Sequence, residues 1–207
     1  MIEDRPTALL LTGEQVAAVA EVAAIAAAQA GSALSRLSSI HVRIADPEIV
    51  SKKIREIPGL FGGLDAPAMG VLVPFQGDME GNALLLFPEK GISELEAVLL
   101  PSAEEDDLRR SAFTEVGNIL TGTLLTVLSS LSEKVVVSLP PFLVQDMAGA
   151  ILDSMLAEIG AFSDEVTVLV LELTGPEGGS LVRSVLIPGQ AGIELLLEAA
   201  GRLRAGS

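Results

Sequence analysis

The pattern of hydrophobic and polar positions predicts the same order of elements in each half of the chain. The first half predicts a long helix, a short strand, a shorter helical segment, two adjacent strands and a last helix, at about 14–38, 40–45, 47–56, 69–76, 81–87 and 89–100. The second half predicts the same order at about 104–131, 134–139, 142–160, 165–173, 180–187 and 189–203. This order favours an α/β (α+β) fold, in which a mixed or antiparallel sheet is flanked by the long helices with pseudo-twofold symmetry.

The amino acids themselves repeat along with the pattern. The segment EVAAIAAAQAGSALSRLSSIHVRIADPEIV from Glu21 aligns without a gap with EVGNILTGTLLTVLSSLSEKVVVSLPPFLV from Glu115, and Pro47 then falls on Pro141. Such self-similarity marks an internal repeat, and the links between elements are short, so we expect one shared sheet and one shared core. The predicted organisation is a single domain of two repeats, 1–207 with repeats at about 14–100 and 104–203.

Composition narrows the chemistry that the chain can perform. With 13 basic and 28 acidic residues the formal net charge is −15, and a surface this acidic repels the phosphates of nucleic acids. Cysteine is absent and His41 is the one histidine, which excludes disulfides, thiol nucleophiles and clusters of Cys or His around a metal. The acidity fits either long-range attraction of a basic partner or adaptation to a salty cytosol, as in halophilic archaea, and we favour the second.

The alanine-rich stretch 15–34 has the length and apolar character of a membrane span. Glu21 lies near its middle, and a basic region before the apolar stretch is missing. Alanine is a weak membrane residue but the strongest helix former. We therefore predict a buried helix of a soluble, cytoplasmic protein without membrane insertion.

Three polar residues form a stripe along the second long helix. Ser111, Glu115 and Asn118 are spaced i, i+4 and i+7, which places them on one face within two turns, and Gly122 continues that face. The opposite face is apolar and should point to the core: Phe113, Val116, Leu120, Leu124, Val127 and Leu131. The stripe should therefore point outward as a pre-aligned acid–amide pair, although a solvated helix face is the ordinary interpretation of such spacing.

The first long helix lacks most of this stripe. The counterparts of Ser111, Glu115 and Asn118 are Ala17, Glu21 and Ala24, so the glutamate is kept while the hydroxyl and the amide are lost. This asymmetry indicates one working copy and one lapsed copy, or else a first helix that is buried against a partner.

With Pro141, the stripe matches the pattern S/D-x3-E-x2-N-x22-P, and EVGNILTGTLLTVLSSL resembles the helix EIGNI-x-GN-x-x-x-ALS that accompanies it. This pattern is the signature of the CheC family of chemotaxis phosphatases, related to CheX and FliY. The chain resembles that family from about residue 14 to 203. The resemblance implies a CheC-like fold and dephosphorylation of phosphorylated CheY, the response regulator that controls the flagellar motor. It implies no cofactor of the chain's own, because the regulator carries the Mg²⁺.

The resemblance also assigns roles to residues. It implies that Asn118 orients the attacking water and that Glu115 pairs with a lysine of the regulator, while Ser111 supports the contact and Pro141 ends a strand. The first-half site is degenerate, because Ala24 cannot orient water, and Glu21 is expected to be a remnant. One active site, in the second half, is predicted.

Other functions remain open alongside the phosphatase. A non-catalytic adaptor that binds phosphorylated CheY or the receptor deamidase CheD is the main alternative, and a flagellar switch subunit ranks lower because a further C-terminal domain is missing. CheC proteins bind CheD, and the segment 145–160 corresponds to the region that contributes to that contact. Its apolar positions at helical spacing fit a core-facing helix equally well: Met147, Ile151, Met155 and Ile159.

Overall fold

A computed structural model of the chain describes residues 11–101, 105–160 and 164–205. Its helices are α1 (Gly13–Ser38), α2 (Glu89–Leu99), α3 (Asp106–Ser132), α4 (Ala148–Gly160) and α5 (Gln190–Ala205). Its strands are β1 (Arg43–Ile44), β2 (Glu48–Lys53), β3 (Pro67–Gly77), β4 (Gly81–Pro88), β5 (Val136–Ser138), β6 (Phe142–Met147), β7 (Glu165–Thr174) and β8 (Ser180–Pro188). Two short 3-10 turns follow β2, at Ile54–Glu56 and Pro58–Leu60.

The strands form one eight-stranded sheet in which every described pairing is antiparallel. The order is β1-β7-β8-β4-β3-β5, with β2 also beside β7 and β6 also beside β3. The two halves meet at the central pair, β4 with β8. The short strands β1 and β2 of the first half pair with β7 of the second half, and the short strands β5 and β6 of the second half pair with β3 of the first half. The α/β fold with a shared, antiparallel sheet is confirmed, while the duplication of the sequence and the single two-repeat domain stay predictions.

Hydrophobic side chains pack on both faces of this sheet, in two clusters rather than the one core expected. Alternate residues of each strand enter different clusters, as Leu85 and Phe87 do on one face and Leu84 and Leu86 on the other. The larger cluster lies under α1, α2, α3 and α5, and the smaller one lies under α4 and the 3-10 turns. The expectation of one core was wrong because α4 covers the second face of the sheet.

Local signals set the ends of the two long helices. Thr12 caps α1 in a reciprocal pair with Gln15, and α1 ends at Ser39, which takes a left-handed conformation with φ 57°. Helix α3 opens with Asp106 and Asp107, whose charges favour the positive end of the helix dipole, and it ends before Glu133. Residue 104, where this helix was expected to begin, lies outside the described residues.

Two helical predictions are corrected by the sheet. The segment 47–56 is not helical: Glu48–Lys53 is β2, which pairs with β7 over six residues before a single 3-10 turn. The segment 142–160 begins as β6, paired with β3, and becomes helical only at Ala148. In both places backbone pairing with a distant strand overrides the local apolar spacing.

Helix α1 is the one candidate span found among the described residues, on length and apolar composition alone. Half of its most apolar window is buried inside the protein. Its buried side is made of small residues that pack in the larger cluster against α3 and α5: Ala18, Val19, Val22, Ala23, Ala26, Ala27 and Ala30. This burial is what a core helix requires.

Candidate functional site

Helix α3 presents the predicted polar stripe on its outer face. Ser111 and Glu115 are exposed, while Asn118 and Gly122 are half-buried. The opposite face is buried as expected at Phe113, Val116, Leu120 and Leu124, with Val127 and Leu131 partly buried against the same cluster. The prediction of an outward-facing polar stripe over an inward-facing apolar one is confirmed.

Close contact between α3 and the sheet holds the stripe in place. A side chain at Gly117 would bring its Cβ to 2.5 Å from Cγ1 of Val71 on β3, so the missing side chain lets the helix lie directly on the strand. One turn earlier, Phe113 meets Phe87 of β4 edge to face, with ring centroids 5.1 Å apart. Asn118 therefore follows directly after a residue at which α3 lies in close contact with the sheet.

Hydrogen bonds tie α3 to the neighbouring edge strands on either side of the stripe. Arg110 donates to Gln145 Oε1 at 2.9 Å and to the carbonyl of Leu143 at 3.4 Å, both in β6. Beyond the stripe, the backbone N–H of Val136 in β5 donates to Ser129 Oγ of α3 at 3.3 Å. Because these anchors precede and follow the stripe, Glu115 and Asn118 are carried by a helix fixed at both ends.

The polar side chains of the stripe differ from the threonine hydroxyls around them in their hydrogen bonding. The neighbouring threonines donate to carbonyls of their own helix, each at 2.7 Å: Thr114 to Arg110, Thr123 to Ile119 and Thr126 to Gly122. Ser111, Glu115 and Asn118, by contrast, have no side-chain hydrogen bond or ion pair to another described residue. A carboxylate and an amide held on a rigid helix without an internal partner are free to meet groups of another molecule.

The equivalent face of α1 is arranged differently. The counterparts of the stripe on α1 are Ala17, Glu21 and Ala24, and all three are exposed. Arg204 of α5, however, donates two hydrogen bonds to Glu21, from Nη2 to Oε1 at 2.9 Å and from Nε to Oε2 at 3.1 Å. The hydrogen bond from Arg204 holds the pKa of Glu21 below its ordinary value, and the charge of Arg204 adds to the effect. The sequence did not reveal this pair, because its members are 183 residues apart.

Pro141 and the segment that follows it occupy other places. Pro141 is half-buried in the link between β5 and β6, directly before β6 begins, and its expected role in ending a strand stays a prediction. Ile151 and Met155 of α4 are buried in the smaller cluster and Ile159 packs against it, so these positions face the core. Met147 was expected on the same helix but lies at the end of β6, where it is exposed.

In the described part of the chain, the stripe coincides with no metal-type cluster and with none of three clefts. Within the described ranges, no three or more His, Asp or Glu side chains are grouped so that they could hold a metal ion. Three clefts of about 510, 160 and 550 Å³ are lined by residues other than Ser111, Glu115 and Asn118. The stripe is an open helix face, which suits contact with a macromolecule better than capture of a small ligand.

A family model described as the CheC-like family matches residues 108–144, the part of the chain that contains Ser111, Glu115, Asn118 and Pro141. The chain is also 28% identical over 145 residues to the CheY-P phosphatase CheC of Bacillus subtilis, which covers 65% of this chain and 69% of that protein. Over residues 108–144 the chain is similar to the CheC-like family. The stripe lies inside the segment that carries this similarity.

Solved structures agree with this CheC-like fold. Thermotoga maritima FliY superposes with a TM-score of 0.72 at 20% identity, covering 94% of this chain and 99% of FliY. The middle domain of Helicobacter pylori FliM gives 0.65 at 14% identity, over 91% and 99%. A complex of CheX with CheY, BeF3 and Mg²⁺ from Borrelia burgdorferi gives 0.53 at 16% identity, over 80% of this chain and 96% of the matched chain. At these identities the matches establish the fold.

Proposed function

We propose that this chain dephosphorylates phosphorylated CheY with a single active site on α3, formed by Glu115 and Asn118. The observation that carries the proposal is the open polar stripe, in which both side chains lack an internal partner within the described residues and lie in the segment matched by the family model. A relative that is 28% identical over 145 aligned residues is named a CheY-P phosphatase. The proposal places the protein in the cytoplasm with its regulator.

The proposed chemistry is hydrolysis of an acyl phosphate carried by the regulator. A water oxygen attacks phosphorus while the bond from phosphorus to the aspartyl oxygen breaks, giving inorganic phosphate and the free aspartate carboxylate. Charge stabilisation comes from the Mg²⁺ and the donors of the regulator, so the phosphatase mainly has to hold the water in line with the breaking bond. The chain then needs no cofactor of its own, and none is proposed.

Asn118 suits the task of holding this water. A carboxamide both donates and accepts hydrogen bonds, and it brings no negative charge that would repel the phosphoryl oxygens. Asn118 is half-buried and follows directly after the close contact of Gly117 with β3, so its position relative to the sheet is well defined. A preorganised amide of this kind contributes by lowering the cost of orienting water in the transition state.

Glu115 and Ser111 are proposed to dock the regulator. Glu115 lies one turn before Asn118 on the same face and is exposed, so its carboxylate can form a charge-assisted hydrogen bond with a lysine ammonium of the partner. That contact would fix the register of α3 against the regulator. Ser111, one turn earlier, supports the edge of the contact, and Pro141 is assigned no direct part in the chemistry.

The test is the decay of phosphorylated CheY from the same organism, followed with wild-type protein, Asn118→Ala and Glu115→Ala at matched salt. We expect faster decay with wild type, a loss of about 100-fold in rate for Asn118→Ala with binding retained, and a Kd weakened about tenfold or more for Glu115→Ala. Glu194→Ala is the control, because it removes one exposed carboxylate from α5 and so changes the net charge equally.

The same assay decides between the phosphatase and the adaptor. If wild-type protein binds phosphorylated CheY but does not speed its decay, the stripe is a docking surface and the adaptor is the correct function. If Glu194→Ala weakens binding as much as Glu115→Ala does, the effect is one of overall charge and the assigned role of Glu115 is wrong. Binding of CheD is assayed separately, with the deamidase itself.

A further inference from the structure

The two outer strands of the sheet differ in the side chains that they expose. Among the described residues, β2 pairs with β7 alone and β6 pairs with β3 alone, so each strand has one edge without a strand partner. Strand β2 carries Glu48, Lys52 and Lys53, and charges on an outer strand, lysines above all, hinder pairing with another chain. Strand β6, at the equivalent place in the second half, has the sequence FLVQDM with Asp146 as its one charge. The outer edge of β6 is therefore the less protected of the two.

Three apolar side chains beside this edge are exposed, and together they form what we call the β6 patch. Val137, Phe142 and Val144 have exposed fractions of 47%, 58% and 44%. Their neighbours Val136 and Leu143 pack into the larger cluster, so strand alternation places the three on the opposite face of the sheet, which α4 covers in part. Among the described residues, the smaller cluster beneath α4 includes none from β5 or β6. The described helices thus leave the patch open to another molecule.

The backbone of β6 presents hydrogen-bonding groups along this edge. Alternate residues of a strand point their N–H and C=O groups to opposite sides of it. The carbonyl of Leu143 accepts a hydrogen bond from Arg110 of α3, and the N–H of Met147 donates to Asp146 Oδ1 at 2.7 Å. Because these partners are side chains and not β3, the odd-numbered residues of β6 point away from β3. The N–H and C=O of Gln145 therefore point to the side where no described strand lies.

We propose that β6 pairs with β6 of a second copy of this chain, antiparallel and centred on Val144, so that two sheets join across a twofold axis. Such a contact is isologous, since the same strand serves on both sides. In this register Leu143 lies opposite the partner's Gln145, and the backbones of these two residues exchange hydrogen bonds. The β6 patches of the two copies then lie side by side on one face of the joined sheet.

The ends of the paired segment suit the same register. Met147 lies there opposite the partner's Pro141. Neither residue loses a hydrogen bond, because the N–H of Met147 is already bound to Asp146 and proline has no N–H. Asp146 lies opposite the partner's Phe142 and not opposite the partner's Asp146, so like charges do not face each other across the pair.

Charge favours a second copy over another partner. Residues 135–145 contain no charged side chain, in a chain whose 13 basic and 28 acidic residues give a net charge of −15. A basic protein would find no carboxylate along this stretch, whereas a second copy brings an equally uncharged stretch and keeps its acids away from the contact. The remaining surfaces of the two copies repel each other, and salt screens that repulsion. We therefore expect a dimer that tightens as the salt concentration is raised.

The test is sedimentation equilibrium of the full chain at about 0.1 M and about 1 M salt. One short strand and three apolar side chains from each copy make a small interface, so we expect a weak dimer, with a Kd of about 10 μM at the higher salt. Val144→Lys places a charge at the centre of the pair and should weaken the dimer about tenfold or more. Val98→Lys is the matched control, because Val98 on α2 is exposed to 45% against 44% for Val144, and the change in charge is the same.

A dimer that tightens with salt and is weakened by Val144→Lys but not by Val98→Lys supports the pairing. A wild-type monomer at both salt concentrations overturns it, and the open edge would then suit an extended segment of another protein. Equal weakening by both lysine variants, or a dimer that weakens as salt is raised, also overturns it, because the contact would then lie elsewhere on the surface.

A second variant guards against a loss of folding. Phe142→Thr keeps a residue with good strand propensity and removes the most exposed apolar side chain of the β6 patch, so it should weaken the dimer about threefold or more. Circular dichroism establishes that each variant is folded. The contact is independent of the proposed function, since the patch lies on the face of the sheet opposite α3, and a phosphatase without any dimer would overturn the pairing alone.

Discussion

Replacement of Gly117 by alanine tests whether close packing of α3 on the sheet positions the site. The new Cβ would lie 2.5 Å from Cγ1 and 2.8 Å from Cβ of Val71. Val71 is fully buried, its β-branched side chain has little rotamer freedom, and its strand is paired on both sides, with Leu85 and with Leu143. Because the strand cannot yield, α3 must move outward.

The size of the effect follows from these distances. Restoring a contact of 3.4 Å requires a shift of about 0.9 Å, and overpacking of this kind costs about 1–3 kcal/mol. Alanine recovers roughly 1 kcal/mol through its better helix propensity. With a pinned neighbour we expect a net loss of about 1–2 kcal/mol in the free energy of unfolding for Gly117→Ala, and a loss of up to about 100-fold in dephosphorylation rate as Asn118 moves with the helix.

The assays are urea unfolding and CheY dephosphorylation, with two controls. Gly122→Ala makes the same substitution where a Cβ meets nothing within 4 Å, so it should raise stability by about 0.5–1 kcal/mol. Val71→Ala removes the nearest methyl group, so the double variant should be more stable than the sum of the two single changes predicts. Additive effects, or a Gly117→Ala protein as stable as wild type, would refute the packing argument.

Three further predictions concern residues away from the stripe. Thr121→Val should raise the free energy of unfolding by about 1 kcal/mol, because the buried hydroxyl of Thr121 has no hydrogen-bond partner in the structure, and a lower urea midpoint would contradict this. Leu152→Ala should cost about 2–5 kcal/mol while the folded protein keeps its dephosphorylation rate, since Leu152 is buried on the face of the sheet opposite α3. Arg204→Ala should have a lower Tm than wild type at any pH above the ordinary pKa of Glu21, because Glu21 is then charged and paired with Arg204. The difference in Tm should vanish as the pH falls through the lowered pKa of Glu21, and a difference that persists in acid would contradict the pairing.

The sequence predicted those elements whose local signals agree with their tertiary surroundings. Both long helices and both long hairpins lie within a few residues of their expected bounds, and the glycine-containing turns take left-handed conformations at Gly77 and Gly178, with φ 125° and 79°. The sequence predicted helix where β2 and β6 form, because the pairing partners of these strands are far away in sequence: β2 pairs with β7, and β6 with β3. Spacing of apolar residues cannot report such partners.

The sequence predicted the part of the candidate site that depends on local signals alone. Helical spacing alone placed Ser111, Glu115 and Asn118 on one outward face, because the residues of one helix face are set by local geometry. The pairing of Glu21 with Arg204 was beyond such reasoning, since it depends on how α5 packs beside α1. The asymmetry of the two halves is therefore larger in the structure than in the sequence, where it appeared only as the loss of an amide and a hydroxyl.

This asymmetry bears on how the two long helices divide their roles. Several polar side chains of the two long helices have partners inside the fold. Thr114, Thr123 and Thr126 of α3 donate to carbonyls of their own helix, and Glu21 of α1 binds Arg204. Within the described part of the chain, Glu115 and Asn118 have no such partner, although their helix is anchored on both sides of them. Rigid placement lowers the entropic cost of meeting a partner, and the lack of an internal contact leaves the carboxylate and the amide free for it. The two features together support the proposal that α3 offers its outer face to another molecule, whereas on α1 the corresponding glutamate is paired with Arg204 of the same chain.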